Sequence, residues 1–139
     1  MNDVVHMVVE MNKHLLSTGT KVELVNLSDV TIPAERMLLS IVVSNLIRNA
    51  FSHTPSGTVN ISIENNQLIV SDTGSGIPSQ EMGKVFQKYF RGSASTGSGI
   101  GLSLVKRICD RYGWAIILNS IEGQGTTARL IFVPSKKID

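Results

Sequence analysis

The stretch from 68 to 102 constrains this chain most, because it places one carboxylate and two glycine clusters around a short amphipathic segment. Residues 68–70 are apolar and mostly β-branched, which predicts a buried strand that delivers Asp72 into a turn. Gly74 and Gly76 then allow a sharp turn and a close approach to a ligand, since glycine has no Cβ. The pattern predicts a binding site at the end of this strand.

The second glycine cluster, Gly97, Gly99 and Gly101, runs directly into the apolar-periodic segment 102–108. This predicts a helix that opens at the cluster, and the free N–H groups and positive dipole end of such a helix favour an anion. Phosphate is the obvious anion. The cluster has neither the GxGxxG spacing of dinucleotide folds nor the GKS ending of a P-loop.

Length and composition predict a single globular domain over residues 1–139. The net charge of +2 and the lack of a basic cluster longer than Lys136-Lys137 argue against a nucleic-acid partner. A single cysteine, Cys109, fits a reducing cytoplasm. No apolar run approaches the roughly 20 residues of a membrane span, so we expect any membrane anchor to lie outside this chain.

Periodicity predicts a first amphipathic helix over 3–16, capped by Asp3, and then a strand at 21–25. A second helix is predicted after Pro33, and a third to restart at Pro78. The apolar face of the first helix is predicted to comprise Val4, Val5, Val8, Met11 and Leu15. The buried stripe of the second is predicted to comprise Met37, Leu38, Ile41, Val42, Leu46, Ile47 and Ala50.

Asn45 and Asn49 lie four residues apart on the second helix, so their amides share one helix face beside the apolar stripe. They could be two polar residues on a solvated face. Asparagine is a mediocre helix former, however, so two asparagines inside an apolar helix indicate a role other than helix formation. An amide oxygen is a neutral, hard ligand that suits Mg²⁺ bound to a nucleotide.

The remaining pattern predicts an antiparallel hairpin turning at Asn65-Asn66, then a helix over 102–112 ended by Gly113. Strands are predicted at 114–121 and 126–133, with Trp114 and Phe132 in the core. This order predicts an α/β sandwich, a two-layer fold with a mixed, mostly antiparallel sheet covered on one face by helices. Segment 87–98, rich in Gly and Ser, is predicted to be mobile.

Asp72-Thr73-Gly74 after an apolar strand is also the triplet of aspartic proteases, in which two carboxylates share one proton. The chain has no second such triplet, so a protease would have to be a homodimer. That alternative gives no role to the second glycine cluster or to the paired asparagines.

The order of these motifs resembles the catalytic ATP-binding domain of sensor histidine kinases. The segment 45–50 (NLIRNA) resembles the N box of that family, 72–77 (DTGSGI) its G1 box and 86–91 (FQKYFR) its F box. The segment 97–102 (GSGIGL) resembles its G2 box, and 123–127 (GQGTT) its last glycine element.

The resemblance implies a Bergerat-type site for ATP and Mg²⁺. In such a site Asp72 recognises the adenine amino group, Asn49 ligates the metal, and a lid at 87–98 closes over the phosphates. Two positions depart from the family pattern: Ser52 replaces a basic residue, and His53 replaces a tyrosine while keeping a ring that can stack on adenine. The residues implied to bind nucleotide are Asn45, Asn49, His53, Asp72, Gly74, Gly76, Ile77, Lys88, Tyr89, Arg91, Gly97, Ser98, Gly99, Ile100, Gly101, Leu102 and Thr126.

Catalysis is assigned to Asn45, Lys88 and Arg91. Phosphoryl transfer needs positioning and charge neutralisation, which Mg²⁺, the two cations and the amides of 99–102 can supply. Hydrolysing relatives such as DNA gyrase and the heat-shock chaperones carry a glutamate base where this chain has Asn45, and an amide cannot take a proton from water.

The resemblance therefore implies transfer to a histidine on a separate dimerisation domain, with a response regulator downstream and an inner-membrane anchor elsewhere. The chain itself has no histidine in an acceptor motif. An ATPase, an anti-sigma serine kinase and a domain that only binds nucleotide remain open as alternatives.

Overall fold

A computed structural model of the chain describes residues 1–16, 18–28, 32–84 and 101–132. Within these ranges, three α-helices and five strands follow one another in the order α1, β1, α2, β2, β3, α3, β4, β5. The helices are α1 (Asn2–Asn12), α2 (Arg36–Ser52) and α3 (Gly101–Tyr112). The strands are β1 (Gly19–Leu27), β2 (Ser56–Glu64), β3 (Gln67–Asp72), β4 (Ala115–Ile121) and β5 (Gly125–Ile131).

The five strands form one mixed sheet in the order β1-β2-β3-β5-β4. Strands β1 and β2 are parallel, joined by the crossover helix α2, and every other neighbouring pair is antiparallel. The β2–β3 hairpin turns at Asn65 and Asn66, which have φ of 52° and 57°. Two successive positive φ values are those of a type I′ turn, for which asparagine is well suited. The hairpin, the mixed sheet and the two-layer fold are confirmed.

The core lies between one face of the sheet and the helices, because alternate strand residues point to that face. On β2, Val59, Ile61 and Ile63 are fully buried, whereas Asn60 on the opposite face is exposed. Helix α2 packs against both α1 and α3 and covers β3. Trp114 and Phe132 are buried and contact each other edge to face, which confirms their prediction as core residues.

Helix α1 differs from its prediction at both ends. Met1, not Asp3, occupies the N-cap, and no side chain caps the helix there. Asp3 lies in the first turn, where it accepts a hydrogen bond from Arg36 at the start of α2, and that bond lowers the pKa of Asp3 to about 2. The helix gives way after Asn12 to a single 3₁₀ turn, Lys13–Leu15.

The buried faces of the first two helices also need correction. On α1 the buried residues are Val4, Val5, Val8 and Val9, whereas Met11 and Leu15 are 66% and 40% exposed. On α2, Met37 is 73% exposed although Leu39 in the same first turn is buried, because residues two apart point to different faces of a helix. The buried positions of α2 are Leu39, Val42, Val43, Leu46, Ile47, Ala50 and Phe51.

The helix predicted to restart at Pro78 is a 3₁₀ helix over Ser79–Lys84 within the described residues. Helix α3 confirms the predicted end at Gly113, whose φ of 73° suits glycine after a helix C-terminus. Strand β4 begins at Ala115, one residue later than predicted, and Val133 lies outside the described residues.

Candidate functional site

The carboxylate of Asp72 is held at the end of β3 by two backbone amides. Its Oδ1 accepts hydrogen bonds from the N–H of Gly74 at 2.9 Å and from the N–H of Thr126 on β5 at 3.2 Å. Both donors reach the same oxygen, which leaves Oδ2 as the oxygen available to a ligand. Asp72 is only 7% exposed, and this burial raises the pKa of its carboxyl while the two amides oppose the rise.

His53 lies at the C-terminal end of α2, next to this carboxylate. Its side chain is half-buried, and burial lowers the pKa of the imidazole while the nearby Asp72 charge opposes that shift. The ring is therefore neutral at pH 7. A neutral, partly exposed aromatic ring beside the carboxylate fits the predicted stacking role.

The turn after Asp72 packs tightly on the backbone of its neighbours. A Cβ on Gly74 would lie 2.0 Å from the carbonyl oxygen of His53, and a Cβ on Gly76 would lie 2.2 Å from that of Ile121. Gly76 also has φ of 71°, a conformation that favours glycine. These two positions were predicted to be glycine so that a ligand can come close. The structure adds a second requirement for glycine, because a Cβ at either position would clash with neighbouring backbone.

Hydrogen bonds tie this turn to the β4–β5 hairpin. The N–H of Ile77 donates to Ser120 Oγ at 2.7 Å, and the N–H of Gly123 donates to the carbonyl of Ser75 at 2.7 Å. Ser120 Oγ also lies 2.8 Å from Oγ1 of Thr126. The predicted residues Ile77 and Thr126 are both buried and both belong to this network.

The paired asparagines on α2 are both half-buried, but their side chains differ in hydrogen bonding. Asn45 donates from Nδ2 to the carbonyl of Ile41 at 2.8 Å, and its Oδ1 faces Gly101, where a Cβ would lie 2.7 Å away. Asn45 thereby joins α2 to the start of α3. The side-chain amide of Asn49 makes no hydrogen bond with any described residue, so its oxygen is free for a ligand.

The metal implied for this site is Mg²⁺, and the residue predicted to hold it is Asn49. Within the described ranges, no group of three or more His, Cys, Asp or Glu side chains could hold a metal ion. The free amide oxygen of Asn49 fits Mg²⁺, which binds proteins through one or two oxygens and keeps its other ligands as water and phosphate.

The structure thus brings the predicted residues of α2, β3 and β5 to one end of the sheet, together with the start of α3. Leu102, in the first turn of α3, is half-buried and packs on the core. The other predicted site residues lie outside the described part of the chain: Lys88, Tyr89, Arg91, Gly97, Ser98, Gly99 and Ile100, with the predicted lid at 87–98.

Sequence reasoning missed two hydroxyl residues of this site, Thr54 and Ser120. Thr54 follows the last residues of α2 and is fully buried, and Ser120 lies on the inward face of β4 opposite Thr126. The strand alternation that places Ile116 and Leu118 inward also places Ser120 inward, so that position could have been found. Thr54 carried no such signal, since a threonine before a proline is common in loops.

The family model described as histidine kinase-, DNA gyrase B-, and HSP90-like ATPase matches residues 34–137. Among curated proteins, the sensor protein QseC of Escherichia coli O157:H7 is 31% identical over 76% of this chain and 24% of its own length. The sensor histidine kinase WalK of Bacillus subtilis is 34% identical over 71% of this chain and 18% of its own. The chain therefore spans about a quarter or less of these relatives.

Solved structures agree in fold. The mycobacterial sensor histidine kinase MprB superposes with a TM-score of 0.78 at 24% identity, covering 92% of this chain and 91% of that one. Full-length ShkA in complex with AMPPNP superposes with a TM-score of 0.77 at 24% identity, covering 93% of this chain and 29% of that one.

No helix in the described ranges is long and apolar enough to cross a membrane. The geometry around Asp72, the family match across most of the chain and the shared fold agree. The chain belongs to the histidine kinase-, DNA gyrase B- and HSP90-like ATPase family, and its resemblance to the catalytic domain of bacterial sensor histidine kinases is confirmed.

Proposed function

We propose that this chain binds ATP with Mg²⁺ and donates the γ-phosphoryl group to a histidine on a separate dimerisation domain. The observation that carries the proposal is the buried Asp72 carboxylate, with Oδ1 fixed by two amides and Oδ2 left for a base. Family membership supports it, and so does the ShkA relative of the same fold, which is described with AMPPNP bound.

Asp72 selects adenine by its hydrogen-bonding character. An ionised carboxylate can only accept, and the exocyclic amino group of adenine is a donor. Guanine carries an acceptor oxygen at the same ring position, which would face Oδ2 acceptor to acceptor. Such an unpaired buried contact is strongly unfavourable, so the site should prefer ATP to GTP.

The paired asparagines of α2 would serve the phosphate end of the nucleotide. Mg²⁺ supplies charge neutralisation there, and Asn49, with its amide unused, is the residue placed to hold it. Asn45 fixes the start of α3 against α2, and that helix N-terminus has unpaired N–H groups suited to phosphate oxygens.

The same residues argue against rapid hydrolysis. Asn45 stands where a catalytic base would be needed, and its Nδ2 is already bonded to the carbonyl of Ile41. An amide cannot accept a proton from an attacking water at neutral pH. A protein acceptor is therefore the better recipient of the phosphoryl group, and an ATPase becomes the second candidate. A dimeric aspartic protease is not retained, because the family assignment accounts for Asp72.

The partners follow from this chemistry. We infer that the acceptor histidine comes from elsewhere, because neither His6 nor His14 lies in an acceptor motif and His53 belongs to the proposed base site. We infer a dimerisation domain of the same receptor as the direct partner, a response regulator as the indirect one, and a cytoplasmic location beneath an inner-membrane anchor. The curated relatives are sensor proteins, which supports this arrangement.

Calorimetry tests the binding step. ATP with Mg²⁺ should give heat and a single site, and GTP should bind at least tenfold more weakly, the ratio that about 1.4 kcal/mol produces. Circular dichroism on the same sample shows whether the chain is folded. A folded chain that gives no heat with ATP would exclude the kinase and the ATPase together.

Radiolabelled ATP tests the transfer step. Label should reach a separately supplied acceptor domain and disappear when its acceptor histidine is replaced by alanine. Transfer in trans will be slow, because the pieces lack the effective concentration that a short linker provides. Label on serine or threonine would instead indicate an anti-sigma kinase, and fast phosphate release without any acceptor would indicate an ATPase.

A further inference from the structure

Thr54 occupies a fixed position just after α2. Its backbone N–H donates to the carbonyl of Phe51 at 3.3 Å, and its own carbonyl accepts a hydrogen bond from Thr20 Oγ1 at 2.6 Å. The residue is 0% exposed. The backbone of Thr54 is thus held on both sides of the side chain.

The Thr54 hydroxyl has no hydrogen-bond partner of good geometry among the described residues. A buried hydroxyl without a partner is unfavourable and uncommon, because the group has lost its water and gained nothing. Valine has the same shape and carries no such penalty. An unused buried hydroxyl beside Asp72 therefore points to a hydrogen bond that is completed when the site is occupied.

The hydroxyl lies beneath the turn that holds Asp72. A Cβ placed on Gly74 would lie 2.8 Å from Thr54 Oγ1, and the N–H of that same Gly74 is the donor to Asp72 Oδ1. The hydroxyl is also near enough to the carboxyl to lower the pKa of Asp72, against the larger effect of burial.

We propose that Thr54 is a specificity-determining residue of the adenine site, whose hydroxyl donates to Oδ2 of Asp72 when the base is bound. The inference rests on the proposed function, since it assigns a residue to the same site. With Oδ1 held by two amides and Oδ2 held by Thr54, the carboxylate has one orientation and one remaining lone-pair direction for the exocyclic amino group.

This arrangement would sharpen discrimination at the base and leave the phosphates untouched. A hydroxyl donating to a carboxylate makes a charge-assisted bond, which favours the ionised, acceptor-only form of Asp72. Thr54 is a positioning residue, because it acts on the base through Asp72. A residue that only stabilised the fold would affect all nucleotides alike.

The test compares two ligands on matched variants. The ligands are ATP and purine riboside triphosphate, which lacks only the exocyclic amino group, and the measurement is the ratio of their dissociation constants. In the wild type the ratio should be roughly tenfold or more in favour of ATP. Thr54→Val should bring it below about threefold, and Thr54→Ser, which keeps the hydroxyl, should restore it.

A control variant separates stability from specificity. Thr20→Val removes the hydroxyl that bonds the Thr54 carbonyl, so it loosens the same segment but leaves the Thr54 hydroxyl in place. Its melting temperature should fall while its nucleotide ratio stays that of the wild type. If Thr54→Val does not fold, the same ratio of dissociation constants is measured on Thr54→Ala, and the same decrease is expected.

Three results would overturn the proposal. A Thr54→Val protein that keeps the wild-type ratio, or loses affinity for both nucleotides equally, shows that the hydroxyl does not act on base recognition. A Thr54→Ser protein that does not recover the ratio shows the same. A wild-type chain that is folded but binds neither nucleotide overturns the proposed function, and this inference with it.

Discussion

At the residue scale, the site retains a buried charge that the fold does not favour. Burial raises the pKa of Asp72, so protons bind this carboxyl more tightly in the folded chain than in the unfolded one. Stability from this group is greatest at low pH and is lost as pH rises through the raised pKa. At neutral pH the ionised Asp72 is a cost to the fold, which is typical of a group retained for binding.

Replacing Asp72 by asparagine should therefore remove binding without harming the fold. The amide oxygen can still accept from Gly74 and Thr126, but the amide nitrogen would meet the adenine amino group donor to donor. We expect ATP affinity to fall by about 5- to 150-fold, from roughly 1–3 kcal/mol for an unpaired polar group. Calorimetry measures the affinity, and thermal unfolding should show a melting temperature no lower than that of the wild type.

Asn49→Ala should weaken binding chiefly when Mg²⁺ is present. Its side-chain amide makes no hydrogen bond within the described part of the chain, so its loss should leave stability nearly unchanged. The measurement is ATP affinity with Mg²⁺ and with a chelator. Asn45→Ala is the comparison, because loss of its bond to Ile41 and its contact with Gly101 should lower affinity in both conditions. Equal effects of the two substitutions would remove the metal role from Asn49.

Base recognition should also weaken on acidification, and at a higher pH than an ordinary carboxyl would cause. Because the pKa of Asp72 is raised, the carboxylate becomes protonated above the usual range and then presents a donor. The preference for ATP over purine riboside triphosphate should decline as the pH falls from neutral through the raised pKa of Asp72. The two ligands carry the same phosphates, so their titration cancels in the ratio. A ratio that is constant over this range would contradict the prediction.

At the element scale, the turn 72–77 is positioned by three neighbours: the end of α2, the start of β2 and the β4–β5 hairpin. The N–H of Thr73 donates to the carbonyl of Thr58 at 3.1 Å, and the N–H of Thr58 donates to Thr73 Oγ1 at 3.0 Å. The N–H of Ser75 donates to the carbonyl of His53 at 3.0 Å. The sequence predicts a turn at these glycines and explains the glycines by a close approach to a ligand. Their contacts with distant backbone could not be predicted, because they depend on how α2 ends against the sheet.

Gly74→Ala should destabilise the fold through this packing. The new Cβ would lie 2.0 Å from the carbonyl oxygen of His53, which is backbone and cannot move aside. We expect a loss of about 1–3 kcal/mol or more in the free energy of unfolding, the range for overpacked sites. Gly83→Ala is the matched control, since nothing lies within 4 Å of its Cβ position and stability should not fall. Urea denaturation of both variants measures the difference.

At the scale of the whole molecule, the sequence predicted elements formed by neighbouring residues better than it predicted which strands pair with each other. The β2–β3 hairpin follows from strand alternation and an Asn-Asn turn, and the end of α3 follows from Gly113. The parallel pairing of β1 with β2 and the insertion of β5 between β3 and β4 join segments distant in sequence, so periodicity cannot reveal them. The apolar face of α1 was wrong at Leu15 because the α-helix ends at Asn12, and at Met11 because that side chain lies beside the buried face formed by the four valines.

The position of β4 at the outside of the sheet has a consequence for handling this protein. In the described ranges no strand covers its outer edge, and its sequence AIILNSI contains no charge and no proline, with Ile117 and Ile121 exposed. Such an edge is a template for pairing with a second copy and thus for aggregation. Ile117 lies opposite Arg129, so Ile117→Glu should add a cross-strand ion pair and reduce light scattering at high concentration.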